Sequence, residues 1–282
     1  MVSFLEQIVL GIFQGVVEWL PFSSEGILLF IKTVIFNHSE INLEAFIREA
    51  LYLHFGTFFA ALIYFWSDVK TLFKEAFNYK HTDIITKKTI DFLLISTLIS
   101  GGLFLFGYFL IELLKINLSL STEMTLTSQI LLFLLGGFLI ITGMTQIKSS
   151  KKGIRQVYHL KPKDSIFAGF MQSLAAFPGL SRSGLTVSSL LFRRIDETVA
   201  LKLSFLMSLP VILMLNLVSL FRGGGAELAG GFIWGFLASF IVGYLTIGGL
   251  MRLSKRVKFG GFVIIVAILV ILSGIILPYL NY

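Results

Sequence analysis

Six long apolar stretches, each close to the roughly 20 residues of a bilayer-spanning helix, dominate the sequence and limit the folds open to it. They run at about 45–66, 90–114, 129–147, 199–221, 229–251 and 260–280. The whole chain is 56% hydrophobic and 14% charged, which is more apolar surface than a soluble domain can bury. The runs are continuous, whereas the strands of a membrane barrel alternate apolar and polar residues. The sequence therefore predicts an all-α polytopic protein of the cell membrane and excludes soluble enzymes.

The formal charge of +7 comes from lysine and arginine residues that cluster in four short loops. These loops lie near 70–88, 148–163, 193–194 and 252–258, whereas the connections 37–44, 116–129 and 223–231 contain no lysine or arginine. Because basic loops stay on the cytoplasmic side of a membrane, we expect the four basic loops to be cytoplasmic and the other three connections external. Membrane topology therefore accounts for the excess of basic residues, and no nucleic-acid partner is predicted.

Two further apolar segments, 4–36 and 165–192, are interrupted by polar residues, proline and glycine at 21–26 and 178–184. Such backbone is tolerated at membrane depth only where protein or a water-filled cavity surrounds it, which is typical of re-entrant hairpins. The charge pattern then predicts that the first hairpin enters from outside and the second from the cytoplasm. Two ordinary kinked helices remain the alternative.

An internal repeat relates the two broken segments. At an offset of 158 residues, Gly11, Gln14, Ser23 and Gly26 pair with Gly169, Gln172, Ser181 and Gly184. Each half would hold one hairpin and three spans, and an odd number of spans turns the second half upside down. We therefore predict an inverted-topology repeat in a single membrane domain, 1–282, with its ligand site where the broken helices meet. The halves are 1–147 and 165–282, joined by a basic cytoplasmic connection at 148–164.

The two hairpins carry polar side chains that are costly inside a membrane, and such residues are functional candidates by default. The guanidinium of arginine has a planar fork of donors that suits a phosphate group. An arginine and several hydroxyls that face carboxylates therefore predict an anion site with a metal or proton partner. The candidates are Gln14, Glu18, Ser23, Ser24 and Glu25 in the first hairpin, and Ser181, Arg182, Ser183 and Thr186 in the second.

Each candidate also has a purely structural interpretation. Ser183 and Thr186 could bond back to their own helix, as hydroxyls in membrane helices often do. Glu18 and Arg182 could form a buried structural ion pair. His54, in the run Leu53-His-Phe-Gly56, could be a core histidine with its hydrogen bonds satisfied.

Both hairpin motifs resemble signatures of the undecaprenyl-diphosphatase family, the bacitracin-resistance proteins called BacA or UppP. The run from Gln14 to Ser24, QGVVEWLPFSS, is similar to the pattern (Glu/Gln)-Gly-x-x-Glu-(Phe/Trp)-Leu-Pro-x-Ser-Ser. The run from Pro178 to Thr186, PGLSRSGLT, is similar to Pro-Gly-x-Ser-Arg-Ser-Gly-x-Thr. Further similarity at 53–60 and 205–210 extends the resemblance over nearly the whole chain.

This resemblance implies an integral membrane phosphatase that hydrolyses a polyprenyl diphosphate to the monophosphate, recycles the lipid carrier and confers bacitracin resistance. It also implies a divalent cation, Mg²⁺ or Ca²⁺, and a site open to the external side. The partners would be the polyprenyl diphosphate lipid and the membrane, with a homodimer left open. In these roles Gln14 and Glu18 would hold the metal, and Ser24 would be the nucleophile with Ser23 beside it. Arg182 would bind the diphosphate with Ser181, Ser183 and Thr186.

The chain departs from the first signature at one position. The family pattern continues Ser/Thr-Gly-His, whereas this sequence reads Glu25-Gly26-Ile27, so the histidine expected to move protons is absent. Glu18, Glu25 or His54 would be the substitute base. The missing histidine also supports a second hypothesis, a polyprenyl-phosphate transporter or flippase with weak or no phosphatase activity. Released phosphate would indicate hydrolysis, and relocation of intact lipid would indicate transport.

Overall fold

The computed structural model describes residues 3–21, 23–38, 40–118, 125–149, 153–175, 177, 179–219, 232–254 and 259–280. This part of the chain is helical apart from two short strands, β1 (Glu40–Asn42) and β2 (Thr125–Thr127). The α-helices are α1 (Phe4–Val17), α2 (Ser24–Phe30), α3 (Leu43–Tyr64), α4 (Trp66–Phe77), α5 (Ile84–Leu118), α6 (Ser128–Ser149), α7 (Pro162–Leu174), α8 (Arg182–Phe192), α9 (Glu197–Ser219), α10 (Ile233–Ser254) and α11 (Phe259–Leu280). A π-helical turn at Ile31–Ile35 extends α2, and 3-10 turns lie at Tyr79–His81 and Val157–His159.

Six helices of the described part, α3, α5, α6, α9, α10 and α11, are long and apolar enough to cross a membrane. They confirm the six predicted spans and the all-α polytopic class. The largest difference in bounds is at α5, which begins at Ile84 rather than at 90. Asp83 explains the earlier start, because its carboxylate accepts from the backbone N–H groups of Ile85 and Thr86 at 2.9 and 3.0 Å and so caps the helix.

Both interrupted segments fold back on themselves. Glu6, in the first turn of α1, lies 3.4 Å from the ammonium group of Lys32, just after α2. Asp164, in the first turn of α7, lies 2.7 Å from the guanidinium of Arg193, which follows α8. Each ion pair joins the beginning and the end of one segment, as a hairpin requires and a single kinked span does not allow.

The first arm of each hairpin packs closely on a spanning helix through a glycine. A Cβ added at Gly11 would lie 2.4 Å from the carbonyl oxygen of Gly235 in α10, and one at Gly169 would lie 2.6 Å from that of Ser96 in α5. The two glycines are 158 positions apart, which is the offset of the predicted repeat, and their carbonyl partners, Gly235 and Ser96, are 139 positions apart. Small residues of this kind allow membrane helices to approach each other closely.

The direction of the packed helices follows from the same contacts. Gly11 and Gly15 lie against Gly235 and Gly243 in that order, so α1 runs parallel to α10. Gly169 and Gln172 lie against Ser96 and Ser100 in that order, so α7 runs parallel to α5.

Helix α10 also runs parallel to α3, because Gly235 lies against Leu53 and Gly243 against Ala60. The inverted repeat, the entry of the two hairpins from opposite sides and the division into 1–147, 148–164 and 165–282 stay predictions.

Some predicted connections lie outside the described residues. These are 223–231, most of 116–129 and the basic residues Lys151, Lys152, Lys255, Arg256 and Lys258. The described ends of the connections 37–44 and 116–129 form the antiparallel pair β1–β2, with Glu40 opposite Thr127. The pair was not predicted, because three-residue strands leave no detectable periodicity in the sequence.

Candidate active site

The breaks in the two hairpins are built alike. The Ser23 hydroxyl accepts from the backbone N–H of Gly26 at 3.2 Å and starts α2, while Ser181 accepts from that of Gly184 at 3.0 Å and starts α8. Both are N-cap contacts of the ordinary kind, and they fall at the positions that the repeat alignment pairs. Gly179 precedes α8 with φ +100°, a conformation that favours glycine. Phe22, Ala176 and Pro178 lie outside the described residues.

Polar contacts hold the two breaks against each other and against α6. The Ser183 hydroxyl donates to the carbonyl of Leu20 at 3.0 Å, which joins the second hairpin to the first. From α6, the amide of Gln146 donates to the carbonyl of Pro21, and Thr142 accepts from the backbone N–H of Ser181 at 3.4 Å. These two α6 residues were not predicted as part of the site. The sequence signal that could have identified them is the presence of two polar residues, four positions apart, on one face of an apolar span.

Glu18 is the charged centre of the site, and its side chain is buried. One carboxylate oxygen forms an ion pair with the guanidinium of Arg182. The other accepts from the Ser24 hydroxyl at 3.2 Å and from the Gln14 amide at 3.0 Å, and lies 3.3 Å from Nε2 of His54. The structure thus brings together three residues predicted from the first hairpin, one from the second and a histidine of α3.

His54 belongs to this site and is not an isolated core histidine. Its Nε2 lies 3.3 Å from the Ser24 hydroxyl oxygen, and its Nδ1 lies 2.6 Å from the carbonyl oxygen of Ala50. Because a carbonyl only accepts, the hydrogen-bond pattern assigns the proton of the neutral ring to Nδ1 and leaves Nε2 as an acceptor. Nε2 and the Glu18 carboxylate are thus alternative acceptors for the one hydroxyl proton of Ser24. The arrangement pairs a serine with a base, as hydroxyl nucleophiles require.

A polar cavity of about 30 Å³ lies between the hairpins, large enough for one or two water molecules. It is lined by Glu18, Ser23, Ser24, Glu25, His54, Ala175, Leu180, Ser181, Arg182 and Ser183. A second cavity of about 90 Å³ shares Glu25, His54, Ala175 and Arg182 with the first. Its other lining is mostly apolar and comes from α3, α5, α7 and α9: Leu51, Ser100, Phe104, Gln172, Ser173, Val211, Ile212 and Leu215. We call it the apolar chamber.

Two predicted site residues do not line either cavity. The Thr186 hydroxyl donates to the carbonyl of Arg182 at 2.8 Å and lies 2.5 Å from the hydroxyl of Ser204, so it bonds back to its own helix. Gln14 lies beside Glu18, and its amide oxygen is buried without a hydrogen-bond partner. This orphaned acceptor is a polar atom whose burial is not compensated within the described structure.

The predicted divalent cation can be tested against the donors present. The described residues contain no group of three histidine, cysteine, aspartate or glutamate side chains placed to hold a metal. Glu18 nevertheless supplies a carboxylate that lines the polar cavity, while Gln14 turns its amide nitrogen toward that carboxylate and its oxygen away from it. Magnesium is usually held by one or two carboxylates together with substrate phosphates, so the residues fit a cation that shares its ligands with a phosphorylated substrate.

Fold and site together define a polytopic membrane enzyme with a buried, ion-paired hydroxyl site beside an apolar chamber, the arrangement suited to a charged lipid headgroup. A family model described as bacitracin resistance protein BacA matches residues 7–272, and the chain belongs to this family.

Proteins named undecaprenyl-diphosphatase are similar to it throughout. That of Methanococcoides burtonii is 36% identical over 279 residues, which cover 97% of this chain and 99% of the relative. That of Haloarcula marismortui is 32% identical over 90% of this chain and 91% of the relative. Undecaprenyl-diphosphatase 3 of Bacillus cereus is 30% identical over 90% of each. The resemblance seen in the two motifs is confirmed.

Proposed function

We propose that the chain is an integral membrane phosphatase that hydrolyses undecaprenyl diphosphate, or a related polyprenyl diphosphate, to the monophosphate and phosphate. This reaction would recycle the lipid carrier and confer bacitracin resistance. The observation that carries the proposal is the contact of the Ser24 hydroxyl with both Glu18 and His54 in a polar cavity that Arg182 also lines. The relatives' name supplies the substrate class.

Arg182 would bind the diphosphate. Its guanidinium lines both cavities and keeps a planar fork of donors suited to phosphate oxygens. Ser181 and Ser183 line the polar cavity beside it and would add hydroxyl contacts. Thr186 would act indirectly, because its hydroxyl bonds to the carbonyl of Arg182 and fixes that turn of α8. Ser23 would position Ser24 by starting α2.

Ser24 would be the nucleophile, and Glu18 and Gln14 would hold a divalent cation, Mg²⁺ or Ca²⁺. When bound, such an ion neutralises charge on the phosphoryl oxygens. This chain's own contribution is to orient the serine, through the hydrogen bond from its hydroxyl to Glu18 at 3.2 Å. Glu18 also holds Arg182 by an ion pair, so the nucleophile and the anion-binding group share one carboxylate.

The polyprenyl chain would lie in the apolar chamber, which adjoins the polar cavity. The chamber residues lie early in α3 (Leu51) and late in α5 and α9 (Phe104, Leu215). With the basic loops on the cytoplasmic side, these are the external halves of all three helices. The site would therefore open to the external side.

The test is phosphate release from undecaprenyl diphosphate by the purified protein in detergent, with Mg²⁺, with Ca²⁺ and with a chelator. We expect metal-dependent release, lost in Ser24→Ala with lipid binding retained, and loss of binding in Arg182→Ala. The matched controls are Thr71→Ala and Arg48→Ala, at exposed positions away from the site, which should behave as wild type. Unchanged turnover in Ser24→Ala would refute the nucleophile, and no release from the wild type would refute the phosphatase.

The transporter or flippase hypothesis predicts a different product. It draws on the predicted inverted repeat and the missing family histidine, but fold alone does not establish a function. The serine contacts and the relatives' name favour hydrolysis. Reconstituted vesicles would separate the two, because a flippase moves intact lipid between leaflets without releasing phosphate.

A further inference from the structure

We infer that His54 is the general base that activates Ser24, an inference that rests on the proposed phosphatase function. The position three residues after Ser24 holds Ile27, which packs against an apolar cluster of α2, α6 and neighbouring helices and has no proton to move. The histidine of α3 instead places Nε2 3.3 Å from the Ser24 hydroxyl oxygen. A base on another helix thus reaches the same hydroxyl.

The imidazole is held in one orientation. Its Nδ1–H donates to the carbonyl of Ala50, one turn earlier in α3, and its side chain is 13% exposed. A fixed Nδ1–H leaves Nε2 unprotonated in the neutral ring, which is the state that a base needs. The backbone of a spanning helix therefore sets the tautomer.

Glu18 is placed to stabilise the protonated form of the same nitrogen. Its carboxylate oxygen lies 3.3 Å from Nε2 and 3.2 Å from the Ser24 hydroxyl. When Nε2 takes the serine proton, the new N–H can donate to this carboxylate. The acid of a serine–histidine–acid triad also stabilises an imidazolium without becoming protonated, although it bonds the opposite ring nitrogen, a place taken here by the carbonyl of Ala50.

The reaction balances in two steps. Ser24 Oγ attacks the terminal phosphorus, its proton passes to His54 Nε2, and the bond to the bridging oxygen breaks with its electron pair on the polyprenyl monophosphate, which takes the proton. Water then attacks the phosphoserine, His54 accepts its proton, and the bond from phosphorus to Ser24 breaks as that proton returns to the serine. The products are polyprenyl monophosphate and inorganic phosphate.

Glu25 is less suited to this role. It follows Ser24 directly, and adjacent residues of a helix point in different directions. Its side chain lines both cavities, as His54 does, but within the described residues it makes no hydrogen bond to Ser24, whereas His54 lies 3.3 Å from the Ser24 hydroxyl oxygen.

The experiment compares His54→Gln with the wild type and with the control Thr71→Ala for phosphate release from undecaprenyl diphosphate. We expect His54→Gln to lower kcat by about 100- to 10,000-fold with KM near that of the wild type. Thr71→Ala, at an exposed position away from the site, should keep both constants of the wild type.

Several outcomes would overturn the inference. Wild-type kcat in His54→Gln would refute the base while leaving the phosphatase intact. A raised KM with unchanged kcat would assign His54 to substrate binding. If His54→Gln does not fold, His54→Asn, whose amide can still donate to Ala50, undergoes the same comparison. Absence of release from the wild type would refute both proposals together.

Discussion

Glu18 joins the two hairpins through its ion pair with Arg182, across 164 positions of sequence. Both side chains are largely buried, at 4% and 16% exposure. Removing one partner of a buried pair leaves an uncompensated charge, which typically costs about 3–5 kcal/mol, whereas removing both can be nearly neutral. The same pair thus serves stability and, in our proposal, substrate binding.

We therefore predict that Glu18→Gln and Arg182→Gln each lower the melting temperature in detergent, and that the double variant is more stable than either single variant. All three should lack phosphatase activity. The exposed pair Glu44–Arg48 is the control, because exposed pairs contribute only about 0–1 kcal/mol. Additive effects of Glu18→Gln and Arg182→Gln on unfolding would contradict a buried pair.

The sequence motifs singled out Glu18, Ser24 and Arg182, and the cavity between the hairpins brings these three together, while their roles stay predictions. They could be singled out because polar residues inside apolar segments are conspicuous. His54 was named as a possible base, but its contact with Ser24 could not be read from spacing, since it links residues 30 positions apart through the packing of α2 near α3. The role of Thr186 was predicted as substrate contact, yet its hydroxyl bonds to its own helix.

At the scale of elements, each hairpin is closed by an ion pair at its open end. In the second hairpin Asp164 accepts from Arg155 at 2.6 Å and from Arg193 at 2.7 Å. Burial opposes ionisation of Asp164, but the hydrogen bonds from these two arginines outweigh it and hold its pKa below the usual value. A lowered pKa in the folded state stabilises the fold above the unfolded-state pKa, and this stability is lost as pH falls through the folded-state pKa.

We predict that Asp164→Asn lowers the melting temperature at neutral pH, because the two arginines lose their charged partner. The difference from the wild type should begin to shrink as the pH falls below about 4, the ordinary pKa of an aspartate, and should disappear only below the lowered pKa of the folded state, where the wild-type carboxyl becomes neutral. Asp91→Asn, which alters a carboxylate bonded to Tyr79 at the surface, is the control and should show little difference. A difference that stays constant down to low pH would contradict a stabilising ion pair between Asp164 and the two arginines.

Helix packing makes a second prediction at this scale. Gly11→Ala and Gly169→Ala should each destabilise the protein by about 1–3 kcal/mol, because the added methyl group meets a backbone carbonyl that cannot move easily. Gly102→Ala is the matched control, since nothing lies within 4 Å of its added Cβ. Thermal unfolding in detergent measures all three. Similar losses at Gly11 and Gly169 are expected if the two contacts are equivalent by the repeat.

At the scale of the molecule, the number of spans and the two hairpins follow from hydropathy and charge, because the bilayer imposes one length and one sidedness rule on every span. Helix α4 was not predicted, since its 12 residues mix lysine with Trp66, Phe73 and Phe77 and satisfy no spanning pattern. The helix joins two spans, α3 and α5. Amphipathic helices at a membrane surface are stabilised by the interface, a contribution that a criterion for spanning helices does not include.

The inverted topology is the last property to be tested, and the absence of native cysteine makes single-cysteine labelling free of background. We predict that a membrane-impermeant maleimide labels Glu40→Cys in intact cells, whereas it labels Lys80→Cys and Lys161→Cys only after permeabilisation. All three positions are exposed. Lys161 immediately precedes α7, and Glu40 follows the first hairpin, so the two sites report the open ends of opposite hairpins. Labelling of Lys161→Cys in intact cells would place both hairpins on one side, and the two halves could not then be inverted copies of each other.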